Sequence, residues 1–300
     1  MTTRIKSSQN LKGIGLMIFG MMGIAGSDAF GKWLMAKDYS AFQVIAVKGW
    51  IIIILMTVWI LLTKRGSQIK TFRPRAHILR LLLSFSGPIL ILIALAEMPL
   101  ADVTVIVFSS VFITTAMSVP VFKEKVGFHR WFAVIAGFIG VIITLRPGIG
   151  VFQPVGVLAL LAGAAFAALN LTTRWLRGTE TALSLIYYTM LGMAILSSFI
   201  LPFVWQPISY FDLAIYAVMA VSTLIGYIGM TRAFMCAPLG VVAPFEYTLI
   251  LFAIVSGYLI WGDIPDGFVW TGATIILLSG IYLIRVENRE AGIVRNNNNE

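Results

Sequence analysis

Residues 99–146, PLADVTVIVFSSVFITTAMSVPVFKEKVGFHRWFAVIAGFIGVIITLR, align without a gap on residues 238–285, PLGVVAPFEYTLILFAIVSGYLIWGDIPDGFVWTGATIILLSGIYLIR. Pro99 and Pro238, Leu100 and Leu239, Val103 and Val242, Trp131 and Trp270, Ile142 and Ile281, and Arg146 and Arg285 coincide, and Glu124 falls on Asp263. The repeat reappears upstream, where Lys32-Trp33-Leu34 corresponds to Arg174-Trp175-Leu176 and Asp28 to Asn170. The chain therefore reads as one apolar unit used twice, over residues 1–150 and 151–287, followed by a polar tail at 288–300.

The 300 residues are 59% hydrophobic and 12% charged, too few polar groups to cover a soluble globule of this size. Apolar stretches of about 20 residues recur along the whole length, the length a helix needs to cross a bilayer. Strand-like alternation is absent, which argues against a barrel. The net charge of +9 sits in short segments between apolar stretches rather than on one solvated face, so topology explains it better than nucleic acid does. The single cysteine, Cys236, allows no internal disulfide. Arg4, Lys6 and Lys12 precede the first apolar run, but that run continues through Asp28 to Met35 with no A-x-A site, which disfavours a cleaved leader. The tail ending in NNNNE is expected to be disordered.

The hydropathy pattern predicts helices near 11–36, 41–62, 77–97, 101–122, 130–146, 155–176, 182–202, 211–235, 240–260 and 267–285. Assigning alternate connections to the cytoplasm places every one of the 22 lysines and arginines there except Lys32, Lys37, Lys48 and Arg146. The positive-inside rule then puts both termini in the cytoplasm. Five spans per half is an odd number, so the second half enters from the opposite side. The expected fold is an all-α integral membrane protein of ten transmembrane helices in two inverted five-helix repeats, an architecture suited to alternating access around a midplane site.

The stretches PLADVTVIVFSSVFITTAMSVPVFKEKVGFHRWFAVIAGFIGVIITLRPG and APFEYTLILFAIVSGYLIWGDIPD resemble the EamA family of the drug/metabolite transporter superfamily, over residues 11 to 287. The resemblance implies a ten-helix carrier of two five-helix repeats in a bacterial inner membrane. RPRAHILRLLLSF, GFIGVIITLRPG and the APFEY to GDIPD block are most similar to permeases that take up S-adenosylmethionine or riboflavin, while other members export amino acids and related metabolites. Lys48 stands where related sequences commonly carry arginine, which weakens a bidentate anion-binding role there.

Ionisable groups inside a membrane are costly, so they are the first candidates for cargo or proton binding. Asp28 could bind a cationic group of the cargo or a proton, or pair with Lys32 one helical turn on. Lys48 could neutralise a carboxylate, pair with Asp28, or extend its stem to the interface. Glu246 follows Pro244, which cannot donate a backbone hydrogen bond and can open the helix; its alternative is a pair with Arg232. Asn170 and Thr173, with Thr172, occupy the repeat counterpart of the Asp28 region and could hydrogen-bond cargo. Tyr227, Phe245 and Tyr247 could wall a planar cargo by stacking. Gly15, Gly20, Gly23 and Gly26 allow close helix approach, as do the small residues from Ala162 to Ala168.

The two histidines, His77 and His129, form no H-E-x-x-H pair, and no G-x-S-x-G elbow or phosphate-binding glycine loop occurs, so an enzyme is disfavoured and no cofactor or metal is expected. The expected partners are the bilayer, a small-molecule substrate and coupling protons, with the chain a monomer or homodimer; the remote alternative is a structural membrane protein without transport. Alkaline phosphatase fused after Gly150 should be active in a bacterial host and inactive at the C-terminus, with green fluorescent protein showing the reverse; activity at both positions would contradict the topology.

Overall fold

The computed structural model describes residues 2–71, 73–123, 127–146, 155–176, 179–236 and 242–297, and among them every regular element is a helix. In chain order these are α1 (Thr2–Met35), α2 (Ala41–Leu62), α3 (Pro74–Glu97), α4 (Leu100–Val107), α5 (Ser109–Phe122), α6 (Phe128–Leu145), α7 (Gly156–Trp175), α8 (Ala182–Ser198), the short α9 (Leu201–Val204), α10 (Tyr210–Cys236), α11 (Thr248–Trp261) and α12 (Gly267–Asn297). Short 3-10 turns at Gly66–Ile69 and Ala243–Tyr247 follow α2 and precede α11.

Seven helical stretches are long and apolar enough to cross a membrane, and shorter apolar helices occupy Trp131–Leu145, Ala182–Ser198 and Phe245–Trp261. All fall on the stretches expected from hydropathy, because a backbone in lipid satisfies its own polar groups only as helix or closed barrel. Starts are set locally. Ser40 Oγ accepts from the Gln43 amide at 3.3 Å, Thr181 Oγ1 from the Ser184 amide at 3.0 Å, and Pro74 occupies the first turn of α3.

Four expectations need correction. The predicted helix at 101–122 is broken at Phe108 into α4 and α5, and the one at 240–260 opens as a 3-10 turn over Ala243–Tyr247, where Pro244 has no amide to donate. The helix expected over 182–202 stops at Ser198, and a separate turn starts at Leu201 with Pro202 in its first positions. The backbone of α12 runs on as helix to Asn297, into the stretch expected to be a disordered tail, through residues such as Glu287, Glu290 and Ala291 that favour helix.

The two sequence-aligned stretches share backbone landmarks. The break at Phe108 corresponds to Tyr247, the last residue of the 3-10 turn. The left-handed cap of α5 at Lys123 (φ 55°) corresponds to the left-handed cap of α11 at Gly262 (φ 72°). Packing follows the same rule: α1 lies against α10 and α3 against α7, α3 against α8 and α2 against α10, α1 against α11 and α5 against α7, while α2 meets α8 and α6 meets α12. Exchanging each first-half helix for its second-half counterpart interchanges the first six of these contacts in three pairs and returns the α2–α8 and α6–α12 contacts to themselves.

The α1–α10 seam is closed by glycines. A methyl group at Gly23 would stand 2.7 Å from the Ser222 carbonyl oxygen, and one at Gly229 would stand 2.8 Å from that of Leu16, whereas one at Gly15 would meet nothing within 4 Å. Ile54, Leu61, Leu62, Leu251, Leu259 and Leu278 lie exposed on the outside of the bundle, as a lipid-facing surface requires. Gly23→Val should therefore cost about 1–3 kcal/mol through overpacking and lower the melting temperature in detergent, while Gly15→Val leaves it unchanged.

Candidate functional site

A cavity of about 180 Å³ lies between α1, α3, α4, α5, α7, α10, the 3-10 turn and α11. Its walls are mostly apolar, from Met21, Ile24, Ile91, Leu95, Val103, Val107, Met230 and Leu249. Into this surface project Asp28 from α1, Asn170 from α7 and Glu246 from the 3-10 turn, with Thr104 and Ser110 beside them. Asn170 is exposed, whereas Asp28 and Glu246 are half-buried. Asp28 and Asn170 are repeat counterparts, and so are Glu246 and Val107, which also lines the cavity. These two pairs, in which the halves differ in chemistry, thus face one space.

The other expected residues surround it. Phe108, in the cavity wall, stacks on Tyr247 with ring centroids 5.0 Å apart and planes inclined by 21°. Tyr247 is buried, and Phe245 packs beside the apolar cluster of Met17, Met21 and Val242. Lys48 is buried within α2 rather than reaching an interface, close enough to Asp28 for the two charges to interact though not in contact. Tyr227 lies within electrostatic reach of Asp28 and of Arg80. Arg232 is exposed and forms no ion pair with Glu246, so that expected alternative is not made.

The expected Asp28–Lys32 pair is also not made. Lys32 Nζ instead donates to Asp263 Oδ2 at 3.1 Å and to the Met98 carbonyl at 3.0 Å, and lies over the Trp261 ring. Arg146 pairs with Asp266 and lies over Phe268. Burial pushes the Asp266 carboxyl up, but the amides of Val269 and Phe268 and the Arg146 guanidinium together hold it below the usual carboxylate range. The connection from α11 to α12 is thereby tied to the ends of both α1 and α6. Nearby, Lys37 Nζ lies 2.5 Å from Asp212 Oδ1, and Tyr39 and Ser209 donate to Asp212 Oδ2 at 3.0 and 2.7 Å.

Thr173 does not line the cavity. With Thr172 it accepts from Arg80, which is 4% exposed inside α3 although its charge reads from sequence as part of the basic connection after α2. The overlooked signal was its place in the apolar run Ile78–Phe85, one turn inside the helix. Ser84, Ser86, Thr114 and Thr115 donate to carbonyls of their own helices, the structural role expected of such residues in a membrane.

Residues 11–146 match the EamA-like transporter family. That family and the names of the relatives below indicate a membrane transporter rather than an enzyme, in keeping with the apolar helices long enough to cross a bilayer. An S-adenosylmethionine uptake transporter of Rickettsia conorii is 27% identical over 279 residues, covering 93% of this chain and 94% of its own length. A riboflavin transporter of Rhizobium johnstonii is 27% identical over 230 residues, 74% of each chain. A solved crystal structure that is 15% identical superposes with a TM-score of 0.58 over 95% of this chain and 99% of its own, so the fold is one already seen.

The Lys32–Asp263 tie can be measured. Lys32→Ala and Asp263→Ala should each lower the melting temperature, and a double-mutant cycle should return a coupling of about 1 kcal/mol, because the pair is partly buried and held by a second acceptor. A coupling of zero would remove the tie as a stabilising contact.

Proposed function

We propose that this EamA-type transporter takes up a small organic metabolite by alternating access, with S-adenosylmethionine the favoured cargo and the cavity at Asp28, Asn170 and Glu246 its binding site. The observation that carries the reading is the convergence of two carboxylates and an amide from three separate elements on one apolar cavity. Two carboxylates suit a cargo with a sulfonium and an ammonium group, and the Phe108–Tyr247 stack beside them offers a face to a planar base. The similarity to an S-adenosylmethionine uptake transporter over nearly the whole length of both chains supports the same cargo.

Alternating access rests on reading the halves as inverted five-helix repeats with both termini in the cytoplasm of a bacterial cell. The shared break, the shared left-handed cap and the exchangeable helix contacts support that reading. A cavity of about 180 Å³ is smaller than the roughly 300 Å³ at the lower end of small-molecule sites, so a nucleoside-sized cargo requires the helices to part. Asp28 and Glu246 are the groups in the cavity able to exchange a coupling proton.

The test is uptake of labelled S-adenosylmethionine into proteoliposomes, with counterflow to establish carrier behaviour. Wild type should show saturable uptake, and Asp28→Asn and Glu246→Gln should each reduce it at least about tenfold, as expected when a buried charge loses its partner. If Glu246→Gln also flattens the pH dependence of uptake, it carries the proton; if transport and its pH profile are unchanged, Glu246 has no part in the mechanism. Saturable riboflavin uptake without S-adenosylmethionine uptake would reassign the cargo, and net efflux would reassign the direction.

A further inference from the structure

Arg80 presents a problem that the cavity residues do not solve. It lies in the apolar run Ile78–Phe85 and is 4% exposed. Its Nη1 donates to Thr172 Oγ1 at 2.9 Å, Thr173 Oγ1 at 2.6 Å and the Leu169 carbonyl at 3.3 Å, and its Nη2 donates to Thr189 Oγ1 at 3.0 Å. Its Nε is buried without a partner. Each threonine spends its own proton elsewhere: Thr172 and Thr173 on the Leu169 carbonyl and Thr189 on that of Leu185. Their lone pairs are thus turned toward the guanidinium.

These hydroxyls solvate the charge but do not neutralise it. Among the described residues no carboxylate stands within ion-pair distance of Arg80. The carboxylate of Glu180 is engaged by Thr71 at 2.8 Å, Ser184 at 3.1 Å and His77 at 3.5 Å. Lys48, also buried, has Asp28 within electrostatic reach, whereas among the described residues Arg80 has no carboxylate as an ion-pair partner. A buried charge without a counter-ion is costly in a membrane protein, and it marks a place where an anion is expected to arrive.

The position fits such an arrival. Thr173 follows the cavity residue Asn170 by three residues on α7, about 4.5 Å along the axis, so Arg80 sits one turn beyond the cavity. Tyr227 of α10 lies within electrostatic reach of both Asp28 and Arg80. The free Nε–H and the second N–H of Nη2 form the edge on which a guanidinium receives a carboxylate through two parallel hydrogen bonds.

We propose that Arg80 binds the carboxylate of the transported molecule, the three threonines holding the guanidinium in the empty state and its unpartnered edge receiving the anion. The site is then dipolar, with carboxylates at the Asp28 and Glu246 end and a guanidinium at the other, and it selects a cargo carrying a cationic group and a carboxylate, as in an amino-acid head. This deepens the cargo assignment made above and rests on it for the transport arm of the test alone.

Two measurements decide the matter on the full-length protein. In thermal shift at fixed ionic strength, propionate should raise the melting temperature of wild type while propionamide does not, and Arg80→Gln should abolish the propionate effect. In proteoliposomes, Arg80→Gln should raise KM for S-adenosylmethionine at least about tenfold and leave KM for its decarboxylated analogue within about threefold. An equal loss for both cargos, no propionate effect in wild type, or a propionate effect that survives Arg80→Gln would make Arg80 a structural staple between α3, α7 and α8 and overturn the proposal. A propionate effect that depends on Arg80, with neither cargo transported, would keep the anion site and discard S-adenosylmethionine. Should Arg80→Gln fail to fold, Thr172→Val/Thr173→Val decides, since it keeps the charge and loosens the cage: a retained propionate shift supports the site and its loss overturns it.

Discussion

A bilayer offers no hydrogen-bond partner to a backbone amide, so a membrane helix can break only where protein or a polar cavity covers the groups it frees. That constraint organises this molecule. Among the described residues, two of the helices are interrupted beside the cavity, at Phe108 and over Ala243–Tyr247. The second interruption presents Glu246 to the cavity, so the departure from helix and the placement of the carboxylate are one event.

The charges are sorted by the same economy of burial. At the end of the bundle where α1 and α6 finish, Lys32 and Arg146 meet carboxylates of the connection between α11 and α12. Inside, Lys48, Asp28, Tyr227 and Arg80 form a chain in which each member acts electrostatically on the next, spread across α2, α1, α10 and α3. No single helix could assemble such a set, since residues one turn apart on α1 would simply have paired. Tertiary contact separates Asp28 from its local neighbour Lys32 by giving Lys32 a better partner 231 residues away.

Much of this was legible in the sequence. Hydropathy located the helices because the membrane enforces both their length and their composition, and comparison of the two repeats picked out Asp28, Asn170 and Glu246 as positions where the halves differ in chemistry, all three of which line the cavity. What escaped was of two kinds. The break at Phe108 carries no proline or glycine within α4 or at its junction with α5, so no local signal announces it. Arg80 was misassigned because a basic residue near a helix end looks the same from sequence whether it faces headgroups or the interior; only the threonines of α7 and α8 distinguish the cases, just as only the aspartate after α11 reveals the partner of Lys32.

The Phe108–Tyr247 stack has a geometric property that its distance does not convey. The two residues are counterparts in the repeat, so interchanging the halves sends each ring to the place of the other. The pair is a fixed point of that operation. In the alternating access proposed above, a trade of shapes between the halves would leave this contact intact while contacts between non-equivalent residues change hands, and the stacked rings would serve as its pivot.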